Sequence, residues 1–324
     1  GAPSRGGAVA SRKPRARAGK DVVSHGGGGA AAASTTSTSS SSSSRFSFSV
    51  ASYNVWFGPP HPSARMERIA SILSTSAPSK PIFVGLQEVT PPLSRSLFPL
   101  LRSEGYETVS QDIPENSYGC SVAVLTCAVG GAEIIASGFL PYSRTIMGRG
   151  LVWVHAKLGG TGNDSREVLF GTTHLESFMR NYPRPGQTYD GAKERESQIL
   201  EAKDFVQSFM SKRAGIKAAF ITGDLNWDDE RKRSAGIDRP LLSVLDGDGR
   251  DSKWVDAWRE AWPNAEGYTY DSRVNPMLRG NLRRRFDRCL ACLPRELHVK
   301  EAQLLGKDPL NGLTWQKEKQ RWGR

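Results

Sequence analysis

Residues 46–57 read FSFSVASYNVWF. Apolar and polar residues alternate through this stretch, the period of a strand with one buried face. The residues just before it, GGGGAAAASTTSTSSSSSS, are of low complexity and have nothing to bury. The expectation is a disordered tail over 1–45 and a folded domain over 46–324 that starts with this strand.

Outward from that strand, strands dominate. ARMERIASILS (64–74) has helical spacing, and IFVGLQEV (82–89) is a short β-branched run of a buried strand. PPLSRSLFPLLRSEG (91–105) opens on proline and closes on Glu-Gly, the start and stop of a helix. YETVS, CSVAVLTCAV, AEIIASGFL, LVWVHAKL and EVLFGTTHLES follow as strands divided by turn residues. Residues 190–213 form the longest amphipathic helix, and AAFITGDLN is another buried strand. WVDAWREAW reads as a short helix, and RRFDRCLACL and HVKEAQLLG as late strands. Many strands and few helices imply an α+β fold: two sheets face to face with helices outside.

The chain is basic, at +11, but unevenly so. Residues 1–45 hold seven basic side chains and one acidic, and residues 279–324 hold twelve and five. The middle, 46–278, holds 25 basic and 27 acidic. The excess lies at the two ends, where a solvated tail and a phosphate-binding surface are equally good readings. SRKPRARAGK (11–20) is compatible with nuclear import, and the same Arg- and Ser-rich stretch with an organellar transit peptide. The nucleus is the expectation. No apolar run approaches the roughly 18 residues of a membrane span, so no membrane partner is expected. Cys289 and Cys292 form a CxxC on a strand, where residues three apart face opposite ways. They are read as buried thiols and not as a zinc site.

Polar residues recur where buried strands end, the usual place for chemistry. They are Asn54 in SYNVWFG, Glu88 in GLQEV, His174 and Ser177 in THLES, Asp224 and Asn226 in TGDLNWDD, and Asp287 in RRFDRCL. Singly each is a turn residue, a helix cap or a structural histidine. Together they offer carboxylates for a hard cation, amides, an imidazole and a hydroxyl, a set suited to phosphate-ester hydrolysis.

The ordered series YNVWFG, LQEV, THLES, GDLNWDD and RFDR resembles the endonuclease/exonuclease/phosphatase superfamily, and with WVDAW, YTYD and RRFDR more narrowly the plant tyrosyl-DNA phosphodiesterase type 2 branch. The resemblance implies a DNase I-like four-layer α/β/β/α sandwich. It implies a Mg²⁺-dependent phosphodiesterase (Mn²⁺ being the alternative ion) that removes tyrosyl protein adducts from DNA 5′ ends in repair, with no obligate protein partner. Glu88 would coordinate the metal with Asn54 beside it. Asp224 would align and deprotonate water, Asn226 would contact the phosphate, and His174 and Ser177 would hold it. Asp287 would orient a second, C-terminal histidine, and Tyr270 would pack against DNA.

The family closes with a strand preceded by Ser-Asp-His, whereas this chain ends GLTWQKEKQRWGR. Its histidines are His25, His61, His155, His174 and His298, and none has that context. The expectation is a sandwich lacking its last strand and a chain of trace activity. The alternatives are an impaired relative that binds nucleic acid and a nuclease or phosphatase of the same fold with another substrate.

Overall fold

The computed structural model describes residues 30–37, 47–76, 79–127, 130–159, 166–230, 237–246, 253–278, 280–310 and 313. The N-terminal basic cluster and His25 lie outside them.

The first half builds one sheet from β1 (Ala30–Ser37), β2 (Ser47–Asn54), β3 (Phe83–Val89), β4 (Tyr106–Ser110) and β5 (Gly119–Leu125). Helices α1 (Pro62–Ser71) and α2 (Pro91–Ser103) connect them. The second half builds another from β6 (Ala132–Pro141), β7 (Gly150–Leu158), β8 (Arg166–His174), β11 (Ile216–Asp224), β12 (Lys253–Asp256) and β15 (Asp287–Leu293). Between these run a small hairpin, β9 (Met179–Arg180) and β10 (Thr188–Tyr189), and helices α3 (Ala192–Ser211), α4 (Leu241–Leu245) and α5 (Ala257–Ala261). A second hairpin joins β13 (Tyr270–Asp271) to β14 (Arg283–Arg284), and β16 (Leu297–Leu305) returns to the first sheet. The sheet orders are β16-β1-β2-β3-β5-β4 and β12-β15-β11-β8-β7-β6.

Burial divides into three layers of apolar contact. Between the sheets lie Phe48, Phe83, Phe170 and Phe220, with Val122, Val154 and Ala291. Outside the first sheet, Met66, Ile69, Leu97 and Leu101 of α1 and α2 cover Leu86 and Val84. Outside the second, Ile199, Ala202 and Val206 of α3 cover Leu169 and Ile221. The expected four-layer sandwich is therefore present, and it follows from strands whose two faces are both buried. None of its described helices is long and apolar enough to cross a membrane.

Two readings need correction. Ala30–Ser37, read as disordered, is a strand, and each large sheet has six strands. β1 lies antiparallel to both neighbours, Ala33 facing Val50 on one side and Ala302 on the other. Composition judges what side chains can bury, but a strand seated between two others is held by backbone N–H and C=O groups that any sequence supplies. WVDAWREAW is also not one helix: Lys253–Asp256 pairs with β15 and the helix starts only at Ala257. Asp256 caps it, accepting from the Trp258 N–H at 3.1 Å. Cys289 and Cys292 behave as read, buried on opposite faces of β15, one between the sheets and one outside.

The late basic run is internally neutralised. Arg283 pairs with Asp271, Arg284 with Asp228, Arg285 with Asp256 and Glu230, and Arg288 with Asp229 and Asp256. Arg285 and Arg288 are almost wholly buried. These ion pairs tie the loop after β11 to β12 and β15, so this part of the C-terminal charge is structural.

Glu230 reports on that network. Burial alone would raise its pKa, but Arg288, Arg285 and Arg259 outweigh it and pull it from 4.5 down to about 2. A carboxylate depressed by folding stabilises above its unfolded pKa and stops doing so as pH falls through the folded one. The urea midpoint should therefore fall between about pH 4.5 and pH 2, and more steeply for the parent than for Glu230→Gln. Parallel pH profiles would remove Glu230 from the network.

Candidate active site

The strand ladder brings the predicted residues together. Asp224, the last residue of β11, faces His174 at the end of β8 on one side and Asp287 at the start of β15 on the other. Gly223 makes this register possible. Its φ is 137°, and a Cβ there would lie 1.8 Å from the Thr173 carbonyl oxygen, so only glycine lets β8 and β11 close at this point. From the other sheet come Asn54, ending β2, and Glu88, near the end of β3. The β3–β5 register slips between Leu86 and Val89, and Glu88 sits at φ 59°. Such a bulge re-aims a side chain. Trp56 and Asn226 also hold positive φ, at 53° and 48°. Strained backbone at three neighbouring positions is a mark of a functional site.

Asn54 Nδ2 lies 2.9 Å from Glu88 Oε1 and 3.1 Å from Asp224 Oδ2. Its Oδ1 accepts from the Trp56 N–H at 3.0 Å, and the Phe57 N–H donates to Glu88 Oε2 at 3.3 Å. Asn54, expected beside the metal as a ligand, therefore acts here mainly as the donor that joins two carboxylates. Ligand atoms of Glu88, His174 and Asp224 all lie within 4.8 Å of one another. His174 Nε2 is 3.7 Å from Asp224 Oδ2, and Nδ1 has no hydrogen-bond partner among the described residues.

The electrostatics follow from burial. Burial raises the Glu88 pKa, opposed by the Asn54 hydrogen bond, and Asp224 beside it adds to the rise. Burial also raises Asp224, against the Asn226 and Asn54 hydrogen bonds and Arg149. His174 is held well below 6.5, by burial first and by Arg149 second, which favours neutral imidazole. Asp287 is raised well above the usual carboxylate range by burial and by Asp224. Its Oδ1 has no hydrogen-bond partner among the described residues, and the expected second histidine is not among its contacts. Crowded buried carboxylates with a neutral imidazole suit a hard divalent cation, which would relieve their repulsion.

A second group of donors adjoins the first. Asn226 Nδ2 lies 3.0 Å from Ser177 Oγ and 3.1 Å from the Leu175 carbonyl, and its N–H donates to Asp224 Oδ1 at 3.0 Å. Arg149 Nη2 donates to Ser177 Oγ at 3.1 Å. Its guanidinium lies 5.2 Å from the Tyr118 ring centroid, and Tyr118 stacks on Phe57 at 4.8 Å. Arg149, Tyr118 and Glu176 were not singled out in the sequence. The only local sign of Arg149 is its setting, Gly-Arg-Gly at 148–150, where a lone cation sits in a turn between strands. Tyr270 is not tied to the cluster by any described bond. It packs edge-on against Phe286 at 5.9 Å. His155 bonds Glu167 at 2.8 Å, and His298 is exposed on β16.

With fold and site described, the family can be stated. The profile of the endonuclease/exonuclease/phosphatase family matches residues 51–307, and the chain belongs to that family. Its fold is the DNase I-like one of its structural neighbours. The chain is similar to truncated Caenorhabditis elegans TDP2 at 21% identity and a TM-score of 0.56, covering 82% of this chain and 85% of that one. It is similar to D. rerio TDP2 complexed with single-strand DNA product at 19% and 0.57, covering 76% and 84%. The human Nocturnin catalytic domain with bound sulfate aligns at 14% and 0.51, covering 75% and 82%. No match was found among curated protein sequences.

Glu176 is the residue on which Arg149 depends. Fully buried, its carboxylate accepts from the N–H groups of Ile146 and Met147, from Thr145 Oγ1 and from Gln198 Nε2, all at 2.7–3.0 Å. It therefore pins the 145–147 turn that leads into Arg149. Glu176→Ala should cost about 3 kcal/mol of unfolding free energy, since buried donors lose a charged acceptor. An unchanged urea midpoint would show that the turn stands without it.

Proposed function

We propose that the chain is a divalent-metal-dependent phosphodiesterase that hydrolyses 5′-tyrosyl phosphodiesters at DNA ends, with Mg²⁺ as its ion. The carrying observation is the juxtaposition of the Glu88–His174–Asp224 cluster with the Ser177–Asn226–Arg149 donor group. Acidic ligands and phosphate-directed donors side by side are the two requirements of phosphoryl transfer. Glu88, with Asp224 close by, would hold Mg²⁺, which when bound supplies Lewis-acid neutralisation of a phosphoryl oxygen.

The chain's own residues divide the remaining work. Asp224, its basicity raised by burial, orients a water and accepts its proton, fixed by Asn54 and by the Asn226 N–H. Neutral His174 and Ser177 donate to the non-bridging oxygens as charge builds there, Asn226, its amide N–H groups engaged by Leu175 and Ser177, orients the Ser177 hydroxyl, and Arg149 adds a buried positive charge. A tyrosyl leaving group departs as a phenolate, with a pKa of about 10, far more readily than an alkoxide. That suits a site whose imidazole is uncharged and so a poor proton donor. The TDP2 structure with single-strand DNA product supports nucleic acid as partner, and repair in the nucleus follows as a proposal from the N-terminal basic cluster.

The test is a side-by-side assay of a 5′-tyrosyl oligonucleotide and an abasic-site duplex. Tyrosine release should be the faster reaction and should stop when EDTA removes the metal. Asp224→Asn should lower turnover about 10²–10⁴-fold with little change in KM. Glu88→Gln should abolish Mg²⁺ heat in titration calorimetry while the far-UV spectrum persists. Faster abasic cleavage would assign a different substrate, and full turnover in EDTA would refute the metal.

A further inference from the structure

The excursion between Ser177 and α3 has no part in the site chemistry, yet it is built with care. Residues 178–189 leave the last donor of the site and return to the start of α3 through the β9–β10 hairpin, Thr188 facing Arg180 and Tyr189 facing Met179. One buried guanidinium holds both feet. Arg195 Nη1 donates to the Glu176 carbonyl at 3.0 Å and to the Asp190 carbonyl at 2.6 Å. The rest of that guanidinium is locked bidentate onto Asp238 at 2.9 and 3.1 Å. The tip is closed from within: the Gly186 N–H donates to Asn181 Oδ1 at 3.0 Å, and the Gln187 N–H to the Arg184 carbonyl at 3.1 Å. Tyr182 packs edge-on against Tyr189 at 5.9 Å.

What this anchored arm presents is Phe178, 47% exposed, then Arg180, Tyr182 at 39%, and Arg184. Among the described residues no ion pair or hydrogen bond engages either arginine side chain, in contrast to the four arginines of the RRRFDR run, all spent on internal carboxylates. Single exposed aromatics mean nothing. Two of them interleaved with two unpaired cations, on a hairpin that begins one residue after a phosphate-directed hydroxyl, are another matter. Phe178, just before β9, and Arg180, at its end, are two residues apart, a spacing that in extended chain sets side chains on one side about 7 Å apart. Cations that track a backbone and π-faces that stack bases are the two components of single-strand recognition.

We propose that the β9–β10 hairpin is a nucleic-acid arm that grips the single strand leading away from the scissile phosphate. Arg180 and Arg184 contact phosphates, and Phe178 and Tyr182 stack bases. The arm deepens the phosphodiesterase reading and rests on it for its orientation, but its binding is measurable separately.

The experiment uses the full chain, a fluorescent single-stranded DNA 12-mer, and EDTA to prevent turnover. The parent, Arg180→Gln/Arg184→Gln and Phe178→Ala are titrated between about 50 and 200 mM salt. Loss of two phosphate contacts should flatten the slope of log K against log salt by about 1.4. Phe178→Ala should raise Kd on the order of 5- to 150-fold with the slope unchanged, the loss of one stacked base. Turnover of thymidine 5′-(p-nitrophenyl phosphate), too short to reach the arm, should stay within about twofold in all three, by the same separation of contacts. If the parent does not cleave that small diester, the phosphodiesterase reading falls while the slopes still judge the arm. Unchanged slope and Kd in both variants overturn the arm. So does loss of binding to phosphatidylserine vesicles with DNA binding intact, which would make it a membrane contact.

Discussion

The amide of Asn54 joins two carboxylates that belong to different sheets. Glu88 comes from β3 and Asp224 from β11, and one nitrogen donates to both at 2.9 and 3.1 Å. Two buried carboxylates would otherwise repel and protonate. With the amide between them, and with the Phe57 and Asn226 backbone N–H groups behind them, their charge is tolerated and their spacing is set. The apolar layer between the sheets must hold that spacing, so the stacked Phe83 and Phe170 rings, 5.3 Å apart, belong to the same device as the polar cluster above them.

Around this bridge the site is supported in concentric steps. Gly223 lets β11 close against Thr173 and so aligns Asp224 with His174. Glu176, two residues beyond His174, fixes the 145–147 segment, and through it Arg149 reaches Ser177. Arg195 and Asp238 secure the far side, and the Arg285–Asp256–Glu230–Arg288 network secures the loop after Asn226. Buried ion pairs of this kind add little net stability over apolar packing, but breaking one partner leaves a costly orphan charge. Their use here is positional: they hold the loops that carry the clustered side chains of the candidate site.

The charge pattern changes meaning once the fold is known. The C-terminal basic excess was open to two readings, a solvated tail or a phosphate surface, and four of its arginines do neither: they neutralise the acidic loop DDE at 228–230, Asp256 and Asp271. Among the described residues, unpaired cations near the site lie in the 178–189 hairpin, whose Arg180 and Arg184 have no acidic residue between them or beside them in that stretch.

The sequence by itself determined the α+β class, most element positions, the opposed faces of Cys289 and Cys292, and the strand-end set Asn54, Glu88, His174, Ser177, Asp224, Asn226. These are local matters: side-chain period along a strand and the type of residue at its end depend only on near neighbours. Tertiary structure alone decided that Asn54 bridges Glu88 and Asp224 across the sheets, that Arg149 from a Gly-Arg-Gly turn joins Ser177, that Tyr270 sits on Phe286, and that Ala30–Ser37 takes a strand's place. Each depends on partners distant in the chain, as with Asn54 and Asp224, 170 apart, or Ala33 facing Ala302, 269 apart. A local pattern says what a residue can do, while hydrogen-bond geometry between distant segments says which neighbour it does it with.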